Sequence, residues 1–232
     1  MDKASATLGA FPTDHPTLPH AAGFRTEVGS RHLPYGPKPR QKLDVYRPKS
    51  GEVKATILYL YGGGWVSGAR WYYRLFGRMM ASRGYAVVVP DYHLYPHATF
   101  PTFVEDAARA FKWMHDHAAE LGGNSSRLFV MGHSAGAHIS TLLALDPKYL
   151  QAHGLATSVI KGVVGLAGPY TIDPLKWKGI KDIFASSREA PHNARPIKLV
   201  RAGAPPMLLL HGARDRVVGS HASVYLASAL DG

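Results

Sequence analysis

Residues 132–136 read Gly-His-Ser-Ala-Gly and contain a serine that could act as a nucleophile. The apolar residues 128–131 predict a buried strand before it, and the small residues from Ala137 onward predict a helix after it. A serine on the sharp turn between such a strand and helix exposes its hydroxyl above the sheet. Glycines two residues before and after it avoid collisions with neighbouring backbone. Ser134 is therefore a candidate for covalent catalysis.

A second glycine-rich run, Tyr-Gly-Gly-Gly-Trp at residues 61–65, directly follows a strand predicted to end at Leu60. Consecutive glycines let backbone N–H groups converge on one point, because no Cβ blocks the approach. Such donors stabilise the oxyanion that forms when a serine attacks an acyl carbon. The sequence lacks the Gly-x-x-x-x-Gly-Lys-Ser/Thr phosphate loop and the Gly-x-Gly-x-x-Gly dinucleotide motif. An oxyanion hole is therefore the favoured interpretation.

The elements that would position these residues alternate between strand-like and helix-like segments from Leu43 onward. This order predicts an α/β fold with a mostly parallel sheet and helices on both of its faces. Continuous apolar runs are typical of strands buried on both faces, whereas alternation is typical of an edge strand. The predicted strands are an edge strand at 43–46 and further strands at 55–61, 85–89, 162–166 and 206–210.

Helices are predicted over 71–83, from Pro101 and from about Gly219. The helix from Pro101 has an apolar stripe formed by Phe103, Val104, Ala107, Phe111 and Met114. Its opposite, solvent-facing side is expected to consist of Asp106, Arg109, Lys112 and Asp116.

The chain is predicted to form a single folded domain over residues 41–232, after a flexible lead-in over residues 1–40. The lead-in contains several prolines and lacks the apolar core of a signal peptide, which favours a cytoplasmic location. A short insertion over the top of the sheet is expected at residues 168–203. Its aromatic side chains either line a pocket or anchor the insertion to the core: Tyr170, Trp177 and Phe184.

The composition fits a globular enzyme, since 46% of the 232 residues are apolar. There is no cysteine, which excludes disulfides and thiolate metal sites, and no spacing of histidines and carboxylates indicates a metal site. The net charge of +11 comes from scattered basic residues, so a solvated basic surface is favoured over a nucleic-acid partner. No cofactor and no membrane span are expected. The oligomeric state is left open.

Together these motifs resemble the α/β-hydrolase superfamily, and within it the esterases and lipases with a His-Gly-Gly-Gly type loop. The resemblance runs from about Leu43 to the end of the chain and includes Val-Pro-Asp-Tyr at 89–92 and His-Gly-Ala-Arg-Asp at 211–215. It implies a serine hydrolase of carboxylic esters, often with short acyl chains. Tyr61 departs from the family's usual histidine. Asp91 corresponds to a structural turn and is interpreted as a scaffold residue.

The resemblance also implies the roles of individual residues. Ser134 would be the nucleophile and Asp215 the acid of the catalytic triad, although a carboxylate at that position could simply cap its loop. Asp215 follows a predicted strand, at the edge of the sheet where sites are built in α/β folds. The oxyanion donors would be the backbone N–H groups of Gly63, Gly64 and Ala135. Substrate binding is assigned to Trp65 and Tyr170.

None of the thirteen histidines stands where the family places its general base. In the superfamily that histidine follows one more strand beyond the acid, so the last strand and the histidine loop are expected to be missing from this C-terminally truncated chain. His221 is the only histidine after Asp215. It belongs to the first turn of a predicted helix, where it is expected to face solvent rather than to act as the base.

The favoured function is a serine esterase that acts on small-molecule esters through an acyl-enzyme and prefers short acyl chains. One alternative is an arylformamidase-like amide hydrolase, since such enzymes share the Gly-His-Ser-Ala-Gly-Ala-His elbow and a glycine loop with tryptophan. The other alternative is an inactive binding module or fragment with the hydrolase fold, for which the missing histidine is the supporting feature.

Overall fold

The computed structural model describes residues 26–27, 31–177 and 179–232. Within them, one sheet consists of β1 (Thr26–Glu27), β2 (Leu33–Pro34), β3 (Lys42–Pro48), β4 (Ala55–Leu60), β5 (Tyr85–Pro90), β6 (Leu128–His133), β7 (Ile160–Leu166) and β8 (Met207–Leu210). The α-helices are α1 (Arg74–Ser82), α2 (Thr102–Asp116), α3 (Ala135–Leu145), α4 (Pro147–Gln151) and α5 (His221–Asp231). Short 3-10 helices span Arg70–Tyr73, Thr157–Val159, Ala185–Ser187, Pro191–Ala194 and Pro196–Lys198.

The sheet has the order β1-β3-β5-β4-β6-β7-β8, and β2 also pairs with β3. Strands β5, β4, β6, β7 and β8 are parallel, whereas β3 runs antiparallel to β5. Helices α2 and α3 pack together on one face, and α1 covers the other beside β3 and β5. From β4 the chain continues to its neighbour β5 on one side of the sheet, whereas from β6 it continues to β7 on the opposite side. In α/β sheets, the binding crevice lies at the carboxyl ends of the two strands between which this direction reverses.

The predicted α/β class and the apolar strands are confirmed. All six residues of β4 are buried, as the continuous apolar run predicted, because α2 and α3 pack on the strand and Phe76 of α1 packs against Tyr59 at 4.5 Å. In α2 the predicted apolar stripe is fully buried.

The expected exposure of Asp106 is wrong. Its carboxylate is buried because it accepts hydrogen bonds from Gln41 Nε2 at 2.8 Å and from the backbone N–H of His93 at 2.7 Å.

The predicted edge strand at residues 43–46 is not at the edge. It forms the centre of β3, which pairs with β5 on one side and with the two-residue strands β1 and β2 on the other. All four residues are buried, including Asp44, because helix α1 packs directly on this strand. The alternation of apolar and polar residues at 43–46 therefore does not correspond to a strand with one face in solvent.

Residues 31–40, assigned to the flexible lead-in, pack on the domain in this structure. Tyr35 is buried, and its hydroxyl donates a hydrogen bond to the carbonyl of Asp91. Arg40 donates hydrogen bonds to three partners, which are described below. The domain boundary drawn at residue 41 therefore does not coincide with the packing. Most of the remaining lead-in lies outside the described residues.

The insertion at 168–203 connects β7 to β8 through turns and three 3-10 helices. Tyr170 and Phe184 are completely buried, so these two aromatic side chains anchor the insertion to the core. Trp177 is partly buried and packs against both apolar clusters of the domain. Among the described residues, no helix combines the length and the apolar character needed to cross a membrane.

Candidate active site

The candidate residues meet at the carboxyl edge of the sheet because neighbouring parallel strands end level with one another. Leu60 at the end of β4 is in register with Gly132, and Leu166 at the end of β7 is in register with both His133 and Leu210. Backbone hydrogen bonds continue beyond the strand ends. The N–H of Ser134 donates to the carbonyl of Leu166 at 2.8 Å, and the N–H of Ala167 donates to the carbonyl of Leu210 at 2.8 Å. The loops that follow β4, β6, β7 and β8 therefore lie side by side.

Ser134 forms a strained turn between β6 and α3. Its φ of 50° and ψ of −118° belong to a region that L-residues rarely occupy. A Cβ on Gly132 would overlap the carbonyl of Gly136, and a Cβ on Gly136 would overlap the carbonyl of Leu60. Both glycines are therefore required by close backbone approach, as the motif predicted. The turn leaves Ser134 partly exposed above the sheet, which is the geometry of a nucleophile elbow.

The glycine loop, residues 61–68, lies directly against this elbow. A side chain on Gly62 would meet Ser134 Cβ at 3.1 Å. Gly63 and Gly64 have φ values of 131° and 60°, and the carbonyl of Gly63 accepts hydrogen bonds from two residues later in the loop. Within the described chain, no acceptor is found for the N–H groups of Gly63 and Gly64.

Ala135 is the first residue of α3, so its N–H has no partner within the helix. The N-terminus of a helix carries a partial positive charge, which favours a developing anion. The structure thus places three unpaired backbone donors around the turn that carries Ser134.

Asp215 lies in the loop after β8, with its side chain 22% exposed. Its Oδ1 accepts hydrogen bonds from the backbone N–H groups of Val217 at 2.8 Å and Val218 at 3.0 Å. These bonds, that of Val218 most of all, lower the pKa of the Asp215 carboxyl below its ordinary value. The nearby His211 and His133 contribute less to that lowered pKa. Asp215 thus caps its loop and also presents a carboxylate at the site's edge of the sheet.

The histidine nearest to Asp215 is His211, which the sequence analysis had not connected with it. Its Nε2 lies 3.6 Å from Asp215 Oδ2, a contact that the spacing of four residues could have indicated. Both ring nitrogens have other partners, since Nδ1 lies 2.7 Å from Ser223 Oγ and Nε2 lies 2.8 Å from the carbonyl of Val218. His211 is therefore held in place as part of the loop that carries Asp215.

The other histidines near the site are placed differently. His221 is exposed at the start of α5, as expected, and its ring faces Tyr225 at 5.8 Å. His138 is fully buried, and burial lowers its pKa to about 4. Among the described residues, no histidine is hydrogen-bonded to the hydroxyl of Ser134.

Comparisons with known proteins identify the family. The BD-FAE family model matches residues 43–230, which include all of the candidate site. The chain belongs to the BD-FAE family. Its curated relatives include Esterase LipC of Mycobacterium tuberculosis, 33% identical over 89% of this chain and 56% of that protein. They also include a probable isoprenylcysteine alpha-carbonyl methylesterase of Arabidopsis thaliana, 30% identical over 86% of this chain and 47% of that protein. The chain thus spans about half the length of these relatives.

Solved structures support the same fold for this BD-FAE chain. A thermophilic esterase from Thermogutta terrifontis superposes with a TM-score of 0.71 and 25% identity, covering 92% of this chain and 79% of that one. A truncated carbohydrate esterase from gut microbiota gives a TM-score of 0.75 at 22% identity, covering 90% and 85%. These similarities confirm the predicted α/β-hydrolase fold.

The two residues assigned to substrate binding lie in the core of this BD-FAE domain. Trp65 is 2% exposed, and its ring packs edge-on against His138 at 5.2 Å and Phe184 at 5.1 Å. Tyr170 is fully buried within a second apolar cluster. Neither side chain therefore reaches a surface that a substrate could touch in this structure.

A small cavity of about 250 Å³ does open between the insertion and the start of α5. Its lining combines polar and apolar surface and includes the residues two and three positions after Asp215. The lining includes Ile172, Trp177, Val217, Val218 and His221. Of the insertion's three aromatic residues, only Trp177 lines this cavity.

Proposed function

We propose that this chain carries the nucleophile, the oxyanion donors and the acid of a serine esterase. The observation that carries the proposal is the strained turn at Ser134, pressed against a glycine loop with unpaired amide donors. A serine hydroxyl in this setting is partly exposed above the sheet and lies beside groups that can stabilise a tetrahedral intermediate. The family relatives named as esterases support ester cleavage rather than another reaction.

In the proposed reaction, Ser134 Oγ attacks the carbonyl carbon of the ester while its proton passes to a general base. The carbonyl oxygen becomes an oxyanion and accepts hydrogen bonds from the N–H groups of Gly63, Gly64 and Ala135. Collapse of this intermediate expels the alcohol, which takes up the proton, and leaves an acyl-serine. Water then attacks the acyl carbon and releases the acid, so that the serine is regenerated. Asp215 would orient the base and stabilise its positive charge.

The insertion over the sheet, residues 168–203, is short, so we expect it to leave an open, shallow acyl pocket that favours small esters. Esters of acetyl, butyryl and hexanoyl groups should therefore be cleaved better than dodecanoyl esters. A rate that rises with chain length beyond hexanoyl would contradict this preference.

The decisive test is covalent labelling of Ser134. In a form of the protein with a complete triad, a fluorophosphonate probe should modify the peptide that contains residues 132–136, and Ser134→Ala should abolish the labelling. Ser140 is a suitable matched control, because this buried serine in the same region donates its hydroxyl to the Gly136 carbonyl. Labelling that persists in Ser134→Ala would reject the assignment of the nucleophile.

We expect the 232-residue chain to turn over esters slowly, because no histidine within the described residues contacts the Ser134 hydroxyl. Loss of a triad histidine can reduce turnover by about a millionfold. Full activity that disappears on His221→Ala would overturn this expectation and identify His221 as the base.

An amide hydrolase of the arylformamidase type is the second candidate, supported by the elbow sequence Gly-His-Ser-Ala-Gly-Ala-His at 132–138. Comparison of p-nitrophenyl acetate with N-formylkynurenine separates the two. Faster cleavage of the formamide would favour this alternative over the esterase.

A further inference from the structure

The glycine loop is anchored at both of its ends, by Arg40 outside the recognised motifs and by Tyr92 of the Val-Pro-Asp-Tyr segment. Its first residue, Tyr61, is fully buried, and its carbonyl accepts a hydrogen bond from the hydroxyl of Tyr92 at 2.7 Å. Its last residue, Gly68, has a φ of 117° and packs against the ring of Tyr61. The oxyanion donors at Gly63 and Gly64 lie between these two anchored ends.

A single guanidinium group connects the two ends. Arg40 Nη2 donates hydrogen bonds to the hydroxyl of Tyr61 at 3.2 Å and to the carbonyl of Gly68 at 2.8 Å. Its Nε donates to the carbonyl of Tyr92 at 2.6 Å. Arg40 therefore contacts the first and last residues of the loop, and also Tyr92, whose hydroxyl is hydrogen-bonded to the loop.

The same arrangement is completed by buried charges. Asp91 Oδ1 accepts hydrogen bonds from the hydroxyl of Tyr61 at 2.9 Å and from the backbone N–H of Arg70 at 2.8 Å. The guanidinium of Arg70 pairs with both Asp91 and Asp44, the latter at 2.9 Å. A buried carboxylate is stable only when its oxygens are satisfied in this way. Removing one member would therefore leave other buried polar groups without partners.

We infer that Arg40 is a positioning residue for the oxyanion hole. Its planar group holds Tyr61 and Gly68 at a fixed separation, which keeps the N–H groups of Gly63 and Gly64 directed toward the space above Ser134. Lysine cannot replace it fully, because an ammonium group lacks the flat, divergent donors that contact three partners at once. The inference rests on the proposed function of the glycine loop, and it assigns a role to the segment before β3.

Hydrogen exchange measures this anchoring without requiring activity. In Arg40→Met, the amides of Val66 and Ser67, which donate hydrogen bonds to the Gly63 carbonyl, should exchange at least about tenfold faster, while those of β6 and α3 keep their protection. Arg40→Lys should give a smaller local increase. Arg127→Met is the matched control, since Arg127 forms an exposed ion pair with Glu52 at 3.1 Å and should leave the loop unchanged.

The second readout is the reaction of Ser134 with a fluorophosphonate. Arg40→Met should lower the maximal labelling rate about tenfold, with little change in the probe concentration that gives half of that rate. Tyr61→Phe keeps the ring but removes its hydrogen bonds to Arg40 and Asp91, so it should reproduce both effects if Arg40→Met fails to fold.

Unchanged exchange in the loop, or an equal increase throughout the domain, would overturn the role of Arg40. The labelling is measured in a form of the protein with a complete triad, and failure of Ser134 to react in that form would instead contradict the proposed esterase function. The exchange experiment would still decide whether Arg40 anchors the loop. The two failures are therefore distinguishable.

Discussion

Ser134, the proposed nucleophile, and Asp215, the proposed acid, lie at the same edge of the sheet, but the structure holds them in different ways. The nucleophile region belongs to the centre of the sheet, where Leu58 and Leu60 of β4 and Val130 of β6 are completely buried. Every residue of helix α3 is buried as well. The strained turn at Ser134 is therefore supported by packed strands and by the buried helix α3, although Ser134 itself is partly exposed above the sheet.

The acid region, in contrast, follows the last strand of the described sheet. Leu208 and Leu210 in β8 are 54% and 48% exposed. Asp215 is held mainly by bonds to residues two and three positions later in its own loop. This difference has a physical reason, because strained backbone persists only where the surrounding structure over-determines it, whereas an unstrained loop can rely on local bonds.

The largest expected effect compares a glycine from each region. Gly136→Ala places a Cβ against the backbone of Leu60 and Tyr61, which cannot move aside, so we expect it to lower the free energy of unfolding by at least about 3 kcal/mol. Gly212→Ala meets no atom within 4 Å and should change it by less than about 0.5 kcal/mol. Urea denaturation measures both. Similar decreases in the free energy of unfolding for the two variants would contradict the difference between the two regions.

A smaller effect should appear in the dependence of stability on pH. His138 has a pKa of about 4 in the folded state, against 6.5 for an ordinary histidine, because burial disfavours its charged form. As the pH falls from 6.5 to 4, the unfolded state binds a proton that the folded state does not, so stability decreases by up to about 3 kcal/mol.

His138→Gln should therefore flatten the curve of melting temperature against pH over this range. The same substitution at the exposed His221, in the acid region, should leave the slope unchanged. An identical slope in wild type and His138→Gln would show that the buried histidine does not control the acid sensitivity.

The smallest expected effect sharpens the role of Asp215. Asp215→Ala removes the oxygen that accepts two backbone hydrogen bonds and should slightly lower the melting temperature, whereas Asp215→Asn retains that oxygen. Because the folded carboxyl has a lowered pKa, its stabilisation is present above the ordinary carboxyl pKa and disappears as the pH falls through the lowered value. An equal decrease for both variants at neutral pH would mean that the charge, not the cap, supports the loop.

The sequence alone was sufficient for features that arise from neighbouring residues. The elbow at Ser134, the glycine loop, the buried strands and the stripe of α2 are local patterns of residue type and spacing, and the structure contains each of them. The α/β class followed from the order of these elements. The roles of the site residues remain proposals.

Features that depend on distant partners required the tertiary structure. The burial of Asp106 depends on Gln41 and His93, and the position of β3 inside the sheet depends on two short strands that carry no pattern of their own.

Trp65 and Arg40 show the same limit at the site itself. In the sequence, an aromatic residue beside a glycine loop is equally compatible with a pocket and with the core. The packing of Trp65 against His138 and Phe184 shows that it belongs to the core. The contacts of Arg40 join residues 21 to 52 positions apart. No local pattern encodes such a contact, because it exists only after the chain has folded.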